Sequence, residues 1–489
     1  MRVRLLRLWN LQWTEQLMML ASLAWMIRFS RLVIDRHNSF LTFDFDLGIH
    51  SQSIWLLSRG KFFNTVCGLP VFGHHAVFMY YFLVPLQWLG GGPNLWNVLQ
   101  VTALGTSSVL VFKIAHHRLG NNFAALTFGL AWLLIPTTGY LVWETFHPEV
   151  MGAPFLLTGY LYAISERDPR QGRIPRGTLA LFWMFAAVLW KEDLALAVAG
   201  IGFILILRHQ HRLGIRIMLG GAAYFLVVGV FLVPMLAGDL SSYGLLYGDL
   251  GTTPFGVAEN AFRNPSLILD RLSTNNAVGY ANQIMAPLAW MPLLAPLTLV
   301  IFLPQFFINI LTETDFTWSM MYHYQIVPVL GATLAAIDGV RFVQRHNKTV
   351  SVLCLVAVLT TSLWTARNWG NSPLGSKFGT VPWDVHGLST AGWTAAMTRI
   401  GPDDGISVQY PMVPHVADRE FVYTFPNPWI ADNFFNPSRS VNPKRIKWIV
   451  VAADSLGEEN RRLLTALVSS GEFGNVQTVD GISSYQRLK

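Results

Sequence analysis

Three short stretches of the sequence gather residue types able to do acid–base or charge-stabilising chemistry. LTFDFDLGIH (41–50) carries Asp44 and Asp46, WETFHPE (143–149) carries His147 and Glu149, and WKED (190–193) carries Lys191, Glu192 and Asp193. A carboxylate within hydrogen-bond reach can take the proton of a hydroxyl as it attacks an electrophilic carbon. Cations can neutralise a departing phosphate, and Lys191, Arg59, Lys61, Arg263 and Arg271 are the candidates. His147 and Glu149 could ligate a divalent metal ion, joined by His74, His75 or His323. Each stretch also has a plainer reading. Asp46 could cap a helix over 47–59. Lys191 could pair with Glu192 or Asp193 inside one turn. Glu149 could favour the start of a helix that Pro148 opens.

Most of the chain is unlike a soluble enzyme. Of its 489 residues 52% are hydrophobic and 13% charged, against roughly 25% charged in soluble domains. Apolar segments recur from Leu11 to Trp364, many of them approaching the roughly 20 residues a membrane span needs. The first continues to about Ile34 without a small-residue cleavage site, so it reads as a span and not a signal peptide. The net charge of +7 resides in short Arg-rich loops, which excludes a nucleic-acid reading and points to the positive-inside rule. Two cysteines are too few for a disulfide framework or a thiolate metal site.

Loop charge gives an orientation. Arg2, Arg4 and Arg7 hold the N-terminus in the cytoplasm, and loops 166–177, 208–216 and 341–348 should lie there too. The first span then delivers Asp44 and Asp46 to the outer face. Runs 123–165 and 178–207 each go out and return, with WETFHPE and WKED at their outer tips. Charges left in mid-membrane would cost several kcal/mol unless paired or wet. One point of parity stays open: two apolar runs, about 76–90 and 94–114, separate Asp46 from His116-His117-Arg118. Either one of them fails to cross, or the basic triplet breaks the rule. The segment 284–311 is interrupted by Pro287, Pro292, Pro296 and Pro304, as suits helices that line a cavity.

From about Arg367 the composition becomes that of a soluble domain. ISVQY (406–410), EFVYTF (420–425) and KWIVVAA (447–453) read as strands and EENRRLLTALVSS (458–470) as a helix. The expected division is a membrane domain over 1–366, with an outer loop at 36–74, and a small α/β extracytoplasmic domain over 367–489.

The order and spacing of DFDLGIHSQSIWLLSRGKFF (44–63), FGHHAVFMYYFLVPL (72–86), FHPE (146–149), KED (191–193), YHYQIVPVL (322–330) and ISVQYPMVPHVADREFVYTFP (406–426) resemble a family of predicted membrane proteins, domain of unknown function 2079. That family is similar to the GT-C superfamily of multi-spanning glycosyltransferases, which use polyprenyl-phosphate sugars. The resemblance implies a polytopic α-helical membrane protein of about 10–12 membrane helices. It implies a catalytic acid in the first outer loop, which maps onto Asp46 with Asp44 beside it. Roles for His75, Glu149, Glu192 and His323 follow by position. The expected reaction is transfer of a sugar from a polyprenyl-phosphate donor to a glycan or glycolipid acceptor at the outer face of a prokaryotic plasma membrane. Catalysis would fall to Asp46, Asp44 and Glu192. Substrate would be held by Lys191, Asp193, Arg59, His75, Glu149, His323 and Tyr324, and a metal by His147 and Glu149. The alternative is a transporter or flippase without chemistry. Transporters carry internal repeats and midplane acids, whereas no repeat is visible here and the acids cluster at helix tips.

Overall fold

The computed structural model describes residues 12–165, 174–238, 246–379, 383, 389–432 and 442–488. The chain opens with α1 (Trp13–Asn38) and α2 (Ile49–Ser58). The long α3 (Pro93–Leu119) is followed by α4 (Asn122–Leu134) and α5 (Pro136–Trp143), which meet at a 42° bend where Pro136 removes a backbone donor. Next come α6 (Pro148–Ile164), α7 (Arg176–Val188), α8 (Leu194–Leu207) and α9 (His211–Ala237). Short helices and turns broken by prolines fill 254–310, before α10 (Ile326–His346) and α11 (Lys348–Asn368). Among the described residues five helices are long and apolar enough to cross a membrane, or six if the bent α4–α5 pair is one span. The shorter apolar helices α7 and α8 pack beside them.

The bundle is arranged around α10, whose residues Ile326 to Val340 are all buried. Two glycines let its neighbours approach the backbone. A Cβ at Gly339 would sit 2.2 Å from the Met291 carbonyl oxygen, and one at Gly331 would sit 2.8 Å from the Phe302 nitrogen. The proline-broken segment therefore packs in the protein interior, where freed backbone groups find partners.

The open parity point has a geometric answer. Run 76–90 folds into a helix of nine residues, Tyr80–Trp88, which rises only about 14 Å. It does not cross, and Phe82, Trp88 and Leu89 on it stay exposed. Of the helices between Asp46 and Arg118 only α3 is long enough to cross, so those residues sit at opposite ends of the bundle. At the far end Asp338 binds Arg118 (2.5 Å), Arg208 (2.5 Å) and Thr298 (2.8 Å), which ties α3, α8 and α10 together. Each Arg is held at a helix end by a buried acid, so neither charge is left uncompensated.

The tail forms a five-stranded sheet of β3 (Gly405–Val408), β4 (Val422–Thr424), β5 (Ile446–Val451), β6 (Phe473–Val479) and β7 (Ile482–Arg487), in the order β4-β3-β5-β7-β6. β3 runs parallel to β4 and β5, and β7 runs antiparallel to β5 and β6. The helix over Glu458–Ser469, α12, packs through Leu464 and Leu467. β6 and β7 were absent from the sequence reading because neither alternates apolar with polar residues, and 475–478 in the middle of β6 are exposed on both faces. Asp480-Gly481 between them is a hairpin signal that the sequence carries. One face of the sheet shares a core with the outer loop: Ile406, Val408 and Val422 pack with Phe40, Ile49, Val66 and Leu69. Within that loop, β1 (Phe63–Asn64) and β2 (Leu69–Pro70) form a short ladder.

Candidate active site

The stretch DFDLG does not present Asp46 as a helix cap. Asp44–Gly48 is a π-helical turn that runs straight into α2, with no side-chain cap on either segment. Residues two apart in such a turn point to nearly opposite sides. Asp46 opens on a cavity of about 330 Å³, and Asp44 turns away from it into the tail, where its Oδ2 accepts a hydrogen bond from Thr424 (2.5 Å).

WETFHPE supplies the opposite wall. α5 ends at Trp143, and the chain makes a tight turn with Thr145 at φ 76° before Pro148 starts α6. Gln100 of α3, fully buried, braces that turn. Its amide donates to the carbonyls of Leu141 and Thr145, and its oxygen accepts from the His147 N–H at 2.5 Å. His147 Nε2 then faces Asp46 Oδ1 across 3.2 Å. Burial works to raise the pKa of Asp46, but His147, with His74 and Lys191 beyond it, outweighs burial and holds the carboxyl below its ordinary range. Burial likewise opposes charge on His147, and Asp46 and Glu144 reverse that, lifting its pKa to about 10.

His323, just ahead of α10, stacks on His147 with ring centroids 4.0 Å apart, and its Nδ1 lies 3.0 Å from Glu144. One donor atom each from Asp46, Glu144, His147 and His323 lie within 4.8 Å of one another. Glu144 Oε2 is buried and makes no hydrogen bond. A second, inner space of about 30 Å³, the size of an ion or one or two waters, is bounded by Asp46, His50, His74, His147, Glu149 and His323.

The WKED turn joins α7 to α8 and makes two separate contacts. Lys191 reaches across to Glu149 (2.9 Å) and lies 3.5 Å from Asp193, so it is not confined to its own turn. Glu192 accepts from the Ala76 N–H and stands 2.6 Å from His75 Nδ1. His75 remains partly exposed to the main cavity. Tyr324 completes this side, its ring 5.9 Å from the Lys191 ammonium.

Nine of the eleven residues singled out in the sequence thus line the two spaces. Asp44 and Arg59 do not. α2 ends at Ser58, and Arg59 lies over the Trp55 ring at the surface. The other cations considered for phosphate are held by acids elsewhere: Lys61 by Glu420, Arg263 by Glu259, and Arg271 by Asp249 and Glu313. Glu149 stays outside the four-residue group because Lys191 holds it. Glu144, three residues before His147, takes that place and was not singled out in WETFHPE. The i, i+3 spacing of Glu144 and His147 was the available signal.

Asp44 titrates differently from Asp46. Burial raises its pKa to about 6, partly offset by the bond from Thr424. A raised folded-state pKa means that the protonated carboxyl favours the folded state, so this stabilisation is present below about pH 4 and is lost as pH rises through 6. Asp44→Asn removes the dependence. Relative to that variant, the wild type should lose about 2 kcal/mol of stability between pH 4 and pH 7, read from unfolding midpoints in detergent. A pH-independent difference would contradict the assignment.

The comparisons with known proteins agree with this architecture. No curated protein matches the sequence. Solved structures do: ArnT from Cupriavidus metallidurans bound to undecaprenyl phosphate (13% identity, TM-score 0.53, covering 94% of this chain and 98% of that one), and the same protein in the apo state (13%, 0.52, 95% and 98%). ArnT is a GT-C glycosyltransferase. At this identity the likeness is one of fold, that of a polytopic GT-C membrane protein. Residues 36–483 match the family model described as "Predicted membrane protein (DUF2079)", and the chain belongs to that family.

Proposed function

We propose that this protein is a membrane glycosyltransferase that moves a sugar from a polyprenyl-phosphate donor to a glycan or glycolipid acceptor at the extracytoplasmic face, with Asp46 as general base. The observation that carries the reading is the cavity's mixed lining. Val233, Leu246, Ile308 and Phe316 give it apolar surface suited to a lipid chain, and Asp46, His75, Lys191 and Glu192 line the same cavity. ArnT, the structural neighbour, has been solved with undecaprenyl phosphate. Arg118, Arg208, Arg341 and Arg345 gather at the other end of the bundle and support a cytoplasmic N-terminus and an extracytoplasmic site and tail; residues 1–11 and 166–173 lie outside the described residues.

The chemistry follows from the side chains. Asp46 is ionised and accepts the acceptor hydroxyl's proton as its oxygen attacks the anomeric carbon. The bond from that carbon to the phosphate oxygen breaks, and its electron pair leaves with the lipid phosphate. Lys191 and His75 donate hydrogen bonds to that phosphate, and Glu192 holds the His75 ring in place. A transporter reading is less favoured, because the charged groups gather at one end of the bundle and not at its middle.

Charge balance bears on a cofactor. Asp46, Glu144, Glu149, Glu192 and Asp193 face two cations among the described lining residues, Lys191 and the protonated His147. An anionic donor entering that space needs further positive charge. Asp46, Glu144, His147 and His323 form a donor set fit for a divalent transition metal, and the orphaned Glu144 Oε2 suits a ligand role. The cation would supply the positive charge that the lining lacks.

Two measurements test this. Asp46→Asn keeps shape but removes the base, and transfer from a polyprenyl-phosphate sugar should fall by a factor of about 100–10,000. Near wild-type turnover by folded protein would exclude Asp46 as the base. Purified wild type, stripped with chelator and titrated calorimetrically with Zn²⁺ or Mn²⁺, should bind one ion, and His147→Gln should weaken that by about 10-fold or more. Equal binding by the variant would remove the metal from the account.

A further inference from the structure

Sequence position makes Asp44 and Asp46 look like a catalytic pair, but the π-turn assigns them to different structures. Asp44 is 6% exposed, and its carboxylate meets Thr424 on β4, 380 residues later. Other contacts fasten the same stretch to the same strand. Gln52 donates to the carbonyls of Arg419 and Glu420 (3.2 Å each) and to Thr65 (2.7 Å). Thr65 in turn bonds the Val422 carbonyl (2.8 Å) and N–H (3.0 Å). A Cβ on Gly48 would come within 2.9 Å of Val413, so the turn lies directly against the tail.

We infer that Asp44 and Thr424 are a positioning pair. The tail, seated through this bond, fixes the π-turn and thereby the direction in which Asp46 points into the cavity. Five-residue π-turns are rare, and this one lacks a side-chain cap, so its geometry depends on what it packs against. One end of the turn is held by Thr424, and Asp46 follows two residues later. Release of Asp44 lets the turn relax, and a displacement of about 1 Å at a reacting group costs on the order of 100-fold in rate. The tail is then part of the site's framework and not a separate binding module. This role rests on the proposal that Asp46 is the base, but the latch itself can be tested without it.

The test uses the full chain in nanodiscs, with Thr424→Val, which removes the donor at similar size, and Thr424→Ser, which restores it. Hydrogen–deuterium exchange is read on peptides spanning 43–50 and, as a control for the fold of the tail, on 446–451 and 473–487. Thr424→Val should raise exchange at 43–50 several-fold with the control peptides unchanged, and Thr424→Ser should match wild type. Asp44→Ala should reproduce the Val pattern from the other partner. With a polyprenyl-phosphate sugar, kcat should fall about 10–100-fold at an almost unchanged donor KM. Wild-type exchange at 43–50 in both Thr424→Val and Asp44→Ala would overturn the latch, as would a loss that Ser fails to rescue. If exchange rises as expected but even the wild type transfers no sugar, the latch stands and the glycosyltransferase reading falls.

Discussion

Burying a carboxylate costs several kcal/mol unless a partner takes up its charge, and one end of this helix bundle buries Glu144, Glu149 and Glu192 around a partly exposed Asp46. The structure meets that cost with partners from distant parts of the chain: His147 for Asp46, Lys191 for Glu149 and His75 for Glu192, while Glu144, which burial keeps protonated, hydrogen-bonds with His323. Each of these contacts joins residues at least 42 positions apart. The helices are therefore locked in register by their charges as well as by apolar packing. The other end repeats the device with Asp338 between Arg118 and Arg208. Between these clamps lies the apolar core around α10.

The same constraint explains why function concentrates at one end. A group held ionised among partners that are themselves anchored needs little reorganisation when substrate charge develops nearby. The brace from Gln100 to the 141–147 turn and the tail's grip on the 44–48 turn serve that purpose from opposite sides. Both turns hold backbone conformations that local sequence alone does not favour: a threonine at positive φ in one and a π-turn in the other.

Much of this was legible in the sequence, for physical reasons. Arg-rich loops alternate with apolar runs, so DFD, HPE and KED had to share a face, and the cavity brings them together. The strands around Ile406, Val422 and Trp448 and the helix from Glu458 were visible as apolar runs and helical spacing. Three things were not. The split of Asp44 from Asp46 depends on a π-turn, which has no periodic signature. Arg59 and the loop cations look available in sequence, but surface partners such as Glu420 and Glu313 hold Lys61 and Arg271, while Arg59 lies over Trp55. The pairing of Glu144 with His323 spans 179 residues. Contacts of that range cannot be read from spacing.

On the proposed function, the charged and the apolar residues that line one cavity together receive a lipid-linked phosphate. Cryo-electron microscopy of the protein in nanodiscs with undecaprenyl phosphate addresses it directly. The account predicts the phosphate within hydrogen-bond distance of Lys191 Nζ, with the lipid chain running past Val233 and Leu246. A phosphate bound away from Lys191, or a cavity that stays free of lipid at saturating concentration, would contradict it.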